Sequence, residues 1–312
     1  MTFTQLEYII AVDTWRHFAL AAENCYVSQP TLSMQIQKAE KRLGVKIFDR
    51  SKQPVIPTEI GAELIEQARK IIAEKNRMDE LVKEKKGIVS GEIRIGIIPT
   101  LAPYLLPLFV PQFAKKYPLV KLVVNEMMTD VMISRLREGR IDMGILVTPL
   151  HEPGIREHVL FYEELMAYVS RKNAAYKKTY VLPQDIDPDK LWLLEEGHCF
   201  RSQIVHLCEL KKASQASSHF EYEAGSIETL RRMVELNDGI TIIPELATID
   251  MTGKQLGHIR YFKKPAPMRE VSIAVHRDFV KKKLVEIIRQ EIMAAIPEKI
   301  RQNKQKNVVP VL

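Results

Sequence analysis

Phe18-Ala-Leu-Ala-Ala-Glu-Asn-Cys-Tyr-Val-Ser-Gln-Pro-Thr-Leu-Ser-Met-Gln-Ile-Gln-Lys-Ala-Glu-Lys-Arg-Leu-Gly44 is the stretch from which the rest of the chain is read. Ala19, Ala21 and Ala22 make a thin helix around Leu20, ending near Asn24 and Cys25, and Tyr26–Val27–Ser28 is a short connector. Ser28 suits the N-cap of a second helix, which tolerates Pro30 in its first turn. That helix sets Leu32, Ile36, Ala39 and Leu43 on one stripe, and Gly44 stops it. Gln29, Thr31, Ser33, Gln37, Lys38 and Lys41 occupy the opposite face. Two short helices, a tight turn and a polar, basic second helix predict a helix-turn-helix. Val45 to Val55 then alternates like a hairpin, forming a wing from which Lys46, Arg50 and Lys52 reach phosphates. Gln29, Thr31, Ser33 and Gln37 have the hydrogen-bonding groups to meet base edges or phosphates, and Pro30 can pack on a thymine methyl.

Outward from this unit, Thr58 caps a long helix running to about Lys86. Leu64, Ala68, Ile71, Met78 and Val82 repeat at heptad spacing, interrupted by Lys75. A helix of this length spans about 40 Å, and its seam predicts pairing with a second copy. After the linker Gly87 to Gly91 the period changes. Strands over 93–98, 120–126 and 141–147 alternate with helices over 101–117 and 130–138, a βαβαβ run that predicts a parallel sheet. A second run has a strand over 165–170, helices over 199–210 and 227–236, and a segment 239–244. A strand over 271–275 and a helix over 279–296 close the fold. The expected domains are 1–58, a winged helix-turn-helix; 59–87, a linker and dimerisation helix; 88–163 with 268–297, one regulatory lobe; 164–267, a second lobe; and 298–312, a loose basic tail. The fold class is α/β multidomain, and a cleft between lobes is a usual place for a ligand.

Composition narrows the class. With 46% hydrophobic and 27% charged residues over 312 positions, the chain is neither disordered nor collagen-like. The first ten residues lack a basic n-region, so no secretory signal is expected. The longest apolar stretch, 101–114, is broken by Pro103, Pro107 and Pro111, which predicts no membrane span and a cytoplasmic protein. A net charge of +7 permits an anionic partner.

The cysteines number three, Cys25, Cys199 and Cys208, too few for a disulfide framework. In a helix from Cys199 to Cys208, Phe200, Ile204 and Leu207 share a stripe, Cys208 lies beside it, and Cys199 stands at the N-terminus next to His198 and Arg201. The helix end and a cation both lower a thiol pKa. Nine helical steps separate the two residues by about 13–14 Å along the axis, whereas a disulfide needs about 4.4–6.8 Å between Cα atoms. Any pairing of the two thus requires local unfolding. On the residues alone three readings stand: two unrelated core cysteines, a redox pair, or a zinc site with His198 and His206, for which the usual ligand spacing is missing.

Phe18, Ala21-Ala22, Val27 to Ser33, Gln35-Ile36, Glu40, Leu43-Gly44, Ile47-Phe48, Arg50, Thr58 and Gly61 resemble the LysR-type transcriptional regulators. The resemblance covers nearly the whole chain. It implies promoter double-stranded DNA as partner, a homodimer or tetramer built on the linker helix, contact with RNA polymerase, and a two-lobed, periplasmic-binding-protein-like regulatory domain. Cys25 stands where that family usually has leucine, and Met34 where a basic residue is common. Within the family, Gly197-His198-Cys199, Arg201, Gln203, Cys208, Ile98-Pro99-Thr100 and Thr129 resemble the OxyR group of peroxide sensors. That resemblance implies Cys199 as the thiol oxidised by hydrogen peroxide, through a sulfenic acid, to a disulfide with Cys208. It also implies Thr100, Thr129, His198, Gln203 and Arg269 around the peroxide, with no cofactor, no metal and no catalytic turnover. Ser202 departs from the acidic residue frequent there. The competing readings are a LysR-type regulator with a small organic effector between its lobes, and a thiol peroxidase or lone binding lobe.

Overall fold

The computed structural model describes residues 1–85, 89–208, 224–277, 279, 281–305 and 307–311. The chain divides into an N-terminal compact unit, Met1–Val89, and a larger one that takes up most of the chain from Ser90 onward.

In the N-terminal unit, α1 (Phe3–Trp15) opens on a capping box between Thr2 and Gln5. Helix α2 (Phe18–Asn24) leads through a turn in which Tyr26 has a φ of 56° to α3 (Gln29–Leu43), capped by Ser28 and closed by Gly44 at a φ of 72°. The helix-turn-helix and both caps are as the sequence predicts. The wing is a minimal ladder of β1 (Phe48–Asp49) and β2 (Ile56–Pro57). Ile9, Val12, Ala21, Ala22, Leu32, Ile36 and Ile47 pack as its core. Leu43, expected in that core, is 38% exposed, because Ile47 and Phe48 return from the wing to close it.

Helix α4 (Glu59–Lys85) starts where the Thr58 hydroxyl accepts the Gly61 amide at 3.0 Å and donates to the Lys46 carbonyl at 2.7 Å. A side chain at Gly61 would overlap the Ile47 carbonyl oxygen, so this crossing requires glycine. The expected seam divides here. Leu64, Ile65 and Ala68 pack within their own unit, whereas Ile71, Met78 and Val82 are exposed. The first turns of α4 therefore serve the helix-turn-helix core, a correction to a seam running the whole length. The end of the expected helix and the start of the linker, residues 86–88, lie outside the described residues.

The larger unit begins with β3 (Gly91–Ile97), α5 (Ala102–Lys116), β4 (Val120–Glu126), α6 (Thr129–Arg137) and β5 (Met143–Thr148). Strand β3 pairs in parallel with β4 and β5, as the βαβαβ pattern predicts. Next come β6 (Ile155–Val169), β7 (Tyr180–Val181), α7 (Cys199–Leu207), α8 (Ile227–Leu236), β8 (Ile240–Pro244), α9 (Gly253–Leu256), β9 (Ile259–Phe262), β10 (Met268–His276), α10 (Lys282–Ala295) and α11 (Glu298–Arg301). The sheet is mixed: β10 lies antiparallel between β5 and β6. Both β6 and β10 outrun the strands the sequence predicts, since their extra residues carry charge where a buried strand is read from apolar runs. Helix α10 starts at Lys282 rather than Phe279, and the part of α7 expected beyond Cys208 lies outside the described residues.

The expected loose tail is a further correction. Val309 and Val311 are buried, Met268 and Val308 form a parallel bridge, and the Val309 amide donates to the Met268 carbonyl at 2.8 Å. Val309 and Val311 together with these main-chain bonds dock the segment. Among the described residues no helix is long and apolar enough to cross a membrane.

Candidate functional site

Two clusters carry chemistry. On α3, Gln29, Pro30, Thr31 and Gln37 are exposed, as are Met34 and, from the wing, Lys46 and Lys52. Arg50 differs. Its Nη1 donates to Ser33 Oγ at 2.9 Å, its Nη2 lies 3.4 Å from Glu40 Oε2, and its guanidinium covers the Phe18 ring at 4.6 Å. Glu40, 3% exposed, also accepts the amides of Ile47 and Phe48 at 2.9 and 3.4 Å. Arg50 thereby ties the wing to α3 and engages the Ser33 hydroxyl, and Lys46 Nζ lies 3.8 Å from the same Glu40 Oε2. Glu40 is the anchor that its position at the end of an apolar stripe conceals.

The second cluster surrounds Cys199 at the first turn of α7. Gly197, at a φ of 92°, turns the chain into this helix, and His198 occupies the N-cap position without a side-chain capping bond. Four elements contribute: Thr100 follows β3, Thr129 opens α6, Gln203 lies one turn along α7, and Arg269 sits on β10. All of these, with His198, are buried, and Arg269 is fully so. Its Nη1 donates to Thr100 Oγ1 at 3.1 Å, its Nη2 to the Thr100 carbonyl at 3.2 Å, and its Nε to Glu163 Oε1 at 2.8 Å. The guanidinium lies 5.2 Å from the centroid of Phe200, the neighbour of Cys199. The sequence-predicted peroxide residues are thus gathered in one place; Glu163 is the member that sequence reasoning missed. Its only signal is an acidic pair, Glu163-Glu164, inside the otherwise apolar run 159–169.

Electrostatics modifies the expectation for Cys199. Burial pushes its thiol up from the ordinary value; the Thr129 hydroxyl, the Arg269 charge and the amides of Phe200 and Cys199 pull it down without prevailing. The cation acting on it is Arg269, not Arg201, whose guanidinium donates to the Leu194 carbonyl at 2.8 Å. Burial also lowers the His198 pKa against the opposing pull of Glu195, which leaves the imidazole neutral at pH 7. Burial lifts the Glu163 carboxyl, and Arg269 and the Leu246 amide hold against it. Both Glu163 oxygens accept N–H groups, from Arg269 and from Leu246 at 2.9 Å, so the arrangement has room for the ionised form.

Three buried polar atoms here lack a well-formed hydrogen bond among the described residues: Thr129 Oγ1, whose hydroxyl acts on the Cys199 thiol, His198 Nε2, which lies 3.6 Å from Glu195 Oε1, and Gln203 Oε1. Such atoms together are costly unless a small polar molecule satisfies them. At the other end of α7, Cys208 packs against the core formed by Phe200, Ile204 and Leu230, and burial lifts its pKa to about 11. Cys25 packs against the helix-turn-helix core, and burial, then Glu7, raise its pKa. Among the described residues no three His, Cys, Asp or Glu side chains gather to hold a metal ion.

Comparison with known proteins matches residues 3–62 to the family described as bacterial regulatory helix-turn-helix protein, lysR family, and residues 86–296 to the LysR substrate binding domain. The DNA-binding transcriptional dual regulator OxyR of Escherichia coli K12 is 36% identical over 79% of this chain and 80% of its own. A hydrogen peroxide-inducible genes activator of Haemophilus influenzae is 34% identical over 88% of this chain and 90% of its own. Among solved structures, a full-length OxyR variant from Pseudomonas aeruginosa superposes with a TM-score of 0.78 at 32% identity, covering 95% of this chain and 99% of that one.

Proposed function

This chain belongs to the LysR family of bacterial transcriptional regulators, and on that footing we propose that it is an OxyR-type activator that senses hydrogen peroxide at Cys199 and controls antioxidant genes. The helix-turn-helix makes it a DNA-binding protein, and redox-sensing transcriptional regulation is the function its relatives support. The observation that carries the assignment to this site is the set of three buried polar groups with unspent hydrogen-bonding capacity, Thr129, His198 and Gln203, beside a half-buried thiol and a buried guanidinium. A molecule with two oxygens and two hydrogens can satisfy donors and acceptors at such close quarters.

The chemistry follows from the groups present. The thiol is protonated at rest, and neutral His198 has one unprotonated ring nitrogen that can take its proton. The Cys199 sulfur then attacks one peroxide oxygen: an S–O bond forms, the O–O bond breaks, and the departing hydroxide leaves as water after taking up a proton. Arg269 has five N–H donors, of which three are committed to Glu163 and Thr100. The remaining two can donate to the leaving oxygen as its charge develops. Sulfur is oxidised to the sulfenic acid and one equivalent of peroxide is reduced. The Cys208 thiol, once deprotonated, attacks that sulfur and expels a second water, leaving the Cys199–Cys208 disulfide. Because α7 holds the two cysteines at its opposite ends, the bond requires the helix to unfold, and that change is the signal.

In this reading peroxide is consumed stoichiometrically, without turnover, in the cytoplasm. Ile71, Met78 and Val82 join two chains through α4, two such dimers make a tetramer, and RNA polymerase is the downstream partner. The expected division into one lobe of 88–163 with 268–297 and a second of 164–267 places Thr100, Thr129 and Arg269 in the first lobe and Cys199 in the second. The test is near-stoichiometric peroxide on the reduced protein, with peptide mapping by mass spectrometry. Wild type is expected to yield a Cys199–Cys208 linkage and Cys199→Ser none; absence of the linkage in wild type overturns the reading.

A further inference from the structure

The peroxide site contains a full positive charge, yet the oxidant proposed for it is neutral. An unopposed guanidinium would draw anions into the site and would be costly to bury. Glu163 addresses both. In the ladder between β6 and β10 it is the cross-strand partner of Arg269, and both side chains are 0% exposed. One carboxylate oxygen takes the Arg269 Nε–H at 2.8 Å and the other the Leu246 amide at 2.9 Å, so the acid is held at both oxygens. The other charged groups nearby include both signs. Arg201 is turned toward the Leu194 carbonyl, and Glu195, of opposite charge and partly exposed, lies 3.6 Å from His198. Glu245, which also acts on Glu163, is paired with Lys299 at 2.5 Å.

We propose that Glu163 is the specificity-determining residue of this site: paired with Arg269, it keeps the pocket near zero net charge, so that Cys199 meets a neutral oxidant in preference to an anion of similar size. The inference rests on the peroxide-sensing reading of the site. It assigns Arg269 a directional role through its N–H groups, with Glu163 removing the long-range attraction that the same cation would exert on anionic oxidants.

Iodoacetamide and iodoacetate, similar in size and differing in charge, read this directly when alkylation of Cys199 is followed peptide by peptide. In wild type the iodoacetate-to-iodoacetamide rate ratio is expected to be no higher than for the same cysteine in the urea-unfolded chain. Glu163→Gln is expected to raise the ratio by about tenfold, the effect of one uncompensated charge at short range. Glu163→Asp, which keeps the charge, should leave the ratio at the wild-type value even where both rates change. The double variant Glu163→Gln with Arg269→Gln should restore it. A structural role alone would move both rates together and leave the ratio constant; that outcome overturns the proposal. So does an anion-favouring ratio in folded wild type, a measurement that needs no variant to fold. Peroxide treatment of the same wild-type sample separates the two levels: no Cys199–Cys208 linkage defeats the peroxide reading, whereas a linkage with an unchanged ratio in Glu163→Gln defeats the role of Glu163 alone.

Discussion

Gln203 Nε2 donates to the main-chain carbonyl of Val309 at 2.8 Å, so the C-terminal segment is bonded to the same helix that opens with Cys199. The segment clamps α7 through this bond and through the burial of Val309 and Val311. Fully burying a valine is worth about 1.5–3 kcal/mol. Ending the chain before Asn307 is expected to lower stability by roughly 2–4 kcal/mol and to speed alkylation of Cys208 at neutral pH. Thermal melting and thiol mapping check both; an unchanged Cys208 rate would show that α7 does not depend on the clamp.

Glu40→Ala should loosen the wing. It leaves the buried amides of Ile47 and Phe48 without their acceptor and Arg50 without its carboxylate. Unsatisfied buried groups cost about 1–3 kcal/mol each, so a loss of about 2–4 kcal/mol is expected, with weaker DNA binding at temperatures where the protein remains folded. Glu40→Gln, which keeps an acceptor, should retain most of the stability.

Phosphate contact and scaffold can be told apart by salt. Lys46→Ala and Lys52→Ala should each reduce the slope of log affinity against log salt by about 1, uniformly across sequences. Arg50→Ala should instead lower the melting temperature, because its guanidinium is engaged by Ser33, Glu40 and Phe18. Equal slopes for all four proteins would remove the distinction.

The reactivity of Cys199 carries a pH signature. Burial holds its thiol above the ordinary value. Alkylation of the reduced protein should therefore still be rising at about pH 9, where an ordinary thiol of pKa about 8.5 is levelling off. Thr129→Val removes an opposing group and should move the curve further up. For stability the sign is the same at Cys208: with the folded-state pKa raised to about 11, its contribution is complete below the unfolded thiol's pKa. It is lost as pH rises from that value through about 11. Urea titrations between neutral and alkaline pH, compared with Cys208→Ala, measure that loss.

Met78→Glu tests the exposed half of α4. Met78 is 69% exposed in the single chain and Val82 54%. A charge at Met78 should shift the protein toward monomer in size-exclusion chromatography with light scattering, without a change in melting of the helix-turn-helix core. A dimer of unaltered affinity would place the contact elsewhere.

Local chemistry determined a great deal of this protein from sequence alone. The cap at Ser28, the stop at Gly44, the stripe Leu32–Ile36–Ala39 and the βαβαβ run each depend on residues a few positions apart, so periodicity and capping suffice to read them. The thiol at the head of a helix, with Phe200 and Ile204 facing the core, was legible for the same reason. What only the tertiary structure decided involves partners far apart in the chain. The register of β6 against β10 brings Glu163 to Arg269 across 106 positions, and the fold brings Thr100 to the same guanidinium across 169. Arg50 reads as a free cation until the wing folds back onto Ser33 and Glu40, and the tail reads as solvated until Val309 meets Gln203. Burial reverses the expected shift at Cys199 because desolvation depends on everything packed around the thiol, whereas the helix end and nearest cation are local. Long-range pairing and desolvation have no period along the chain, and that is why they were decided only in three dimensions.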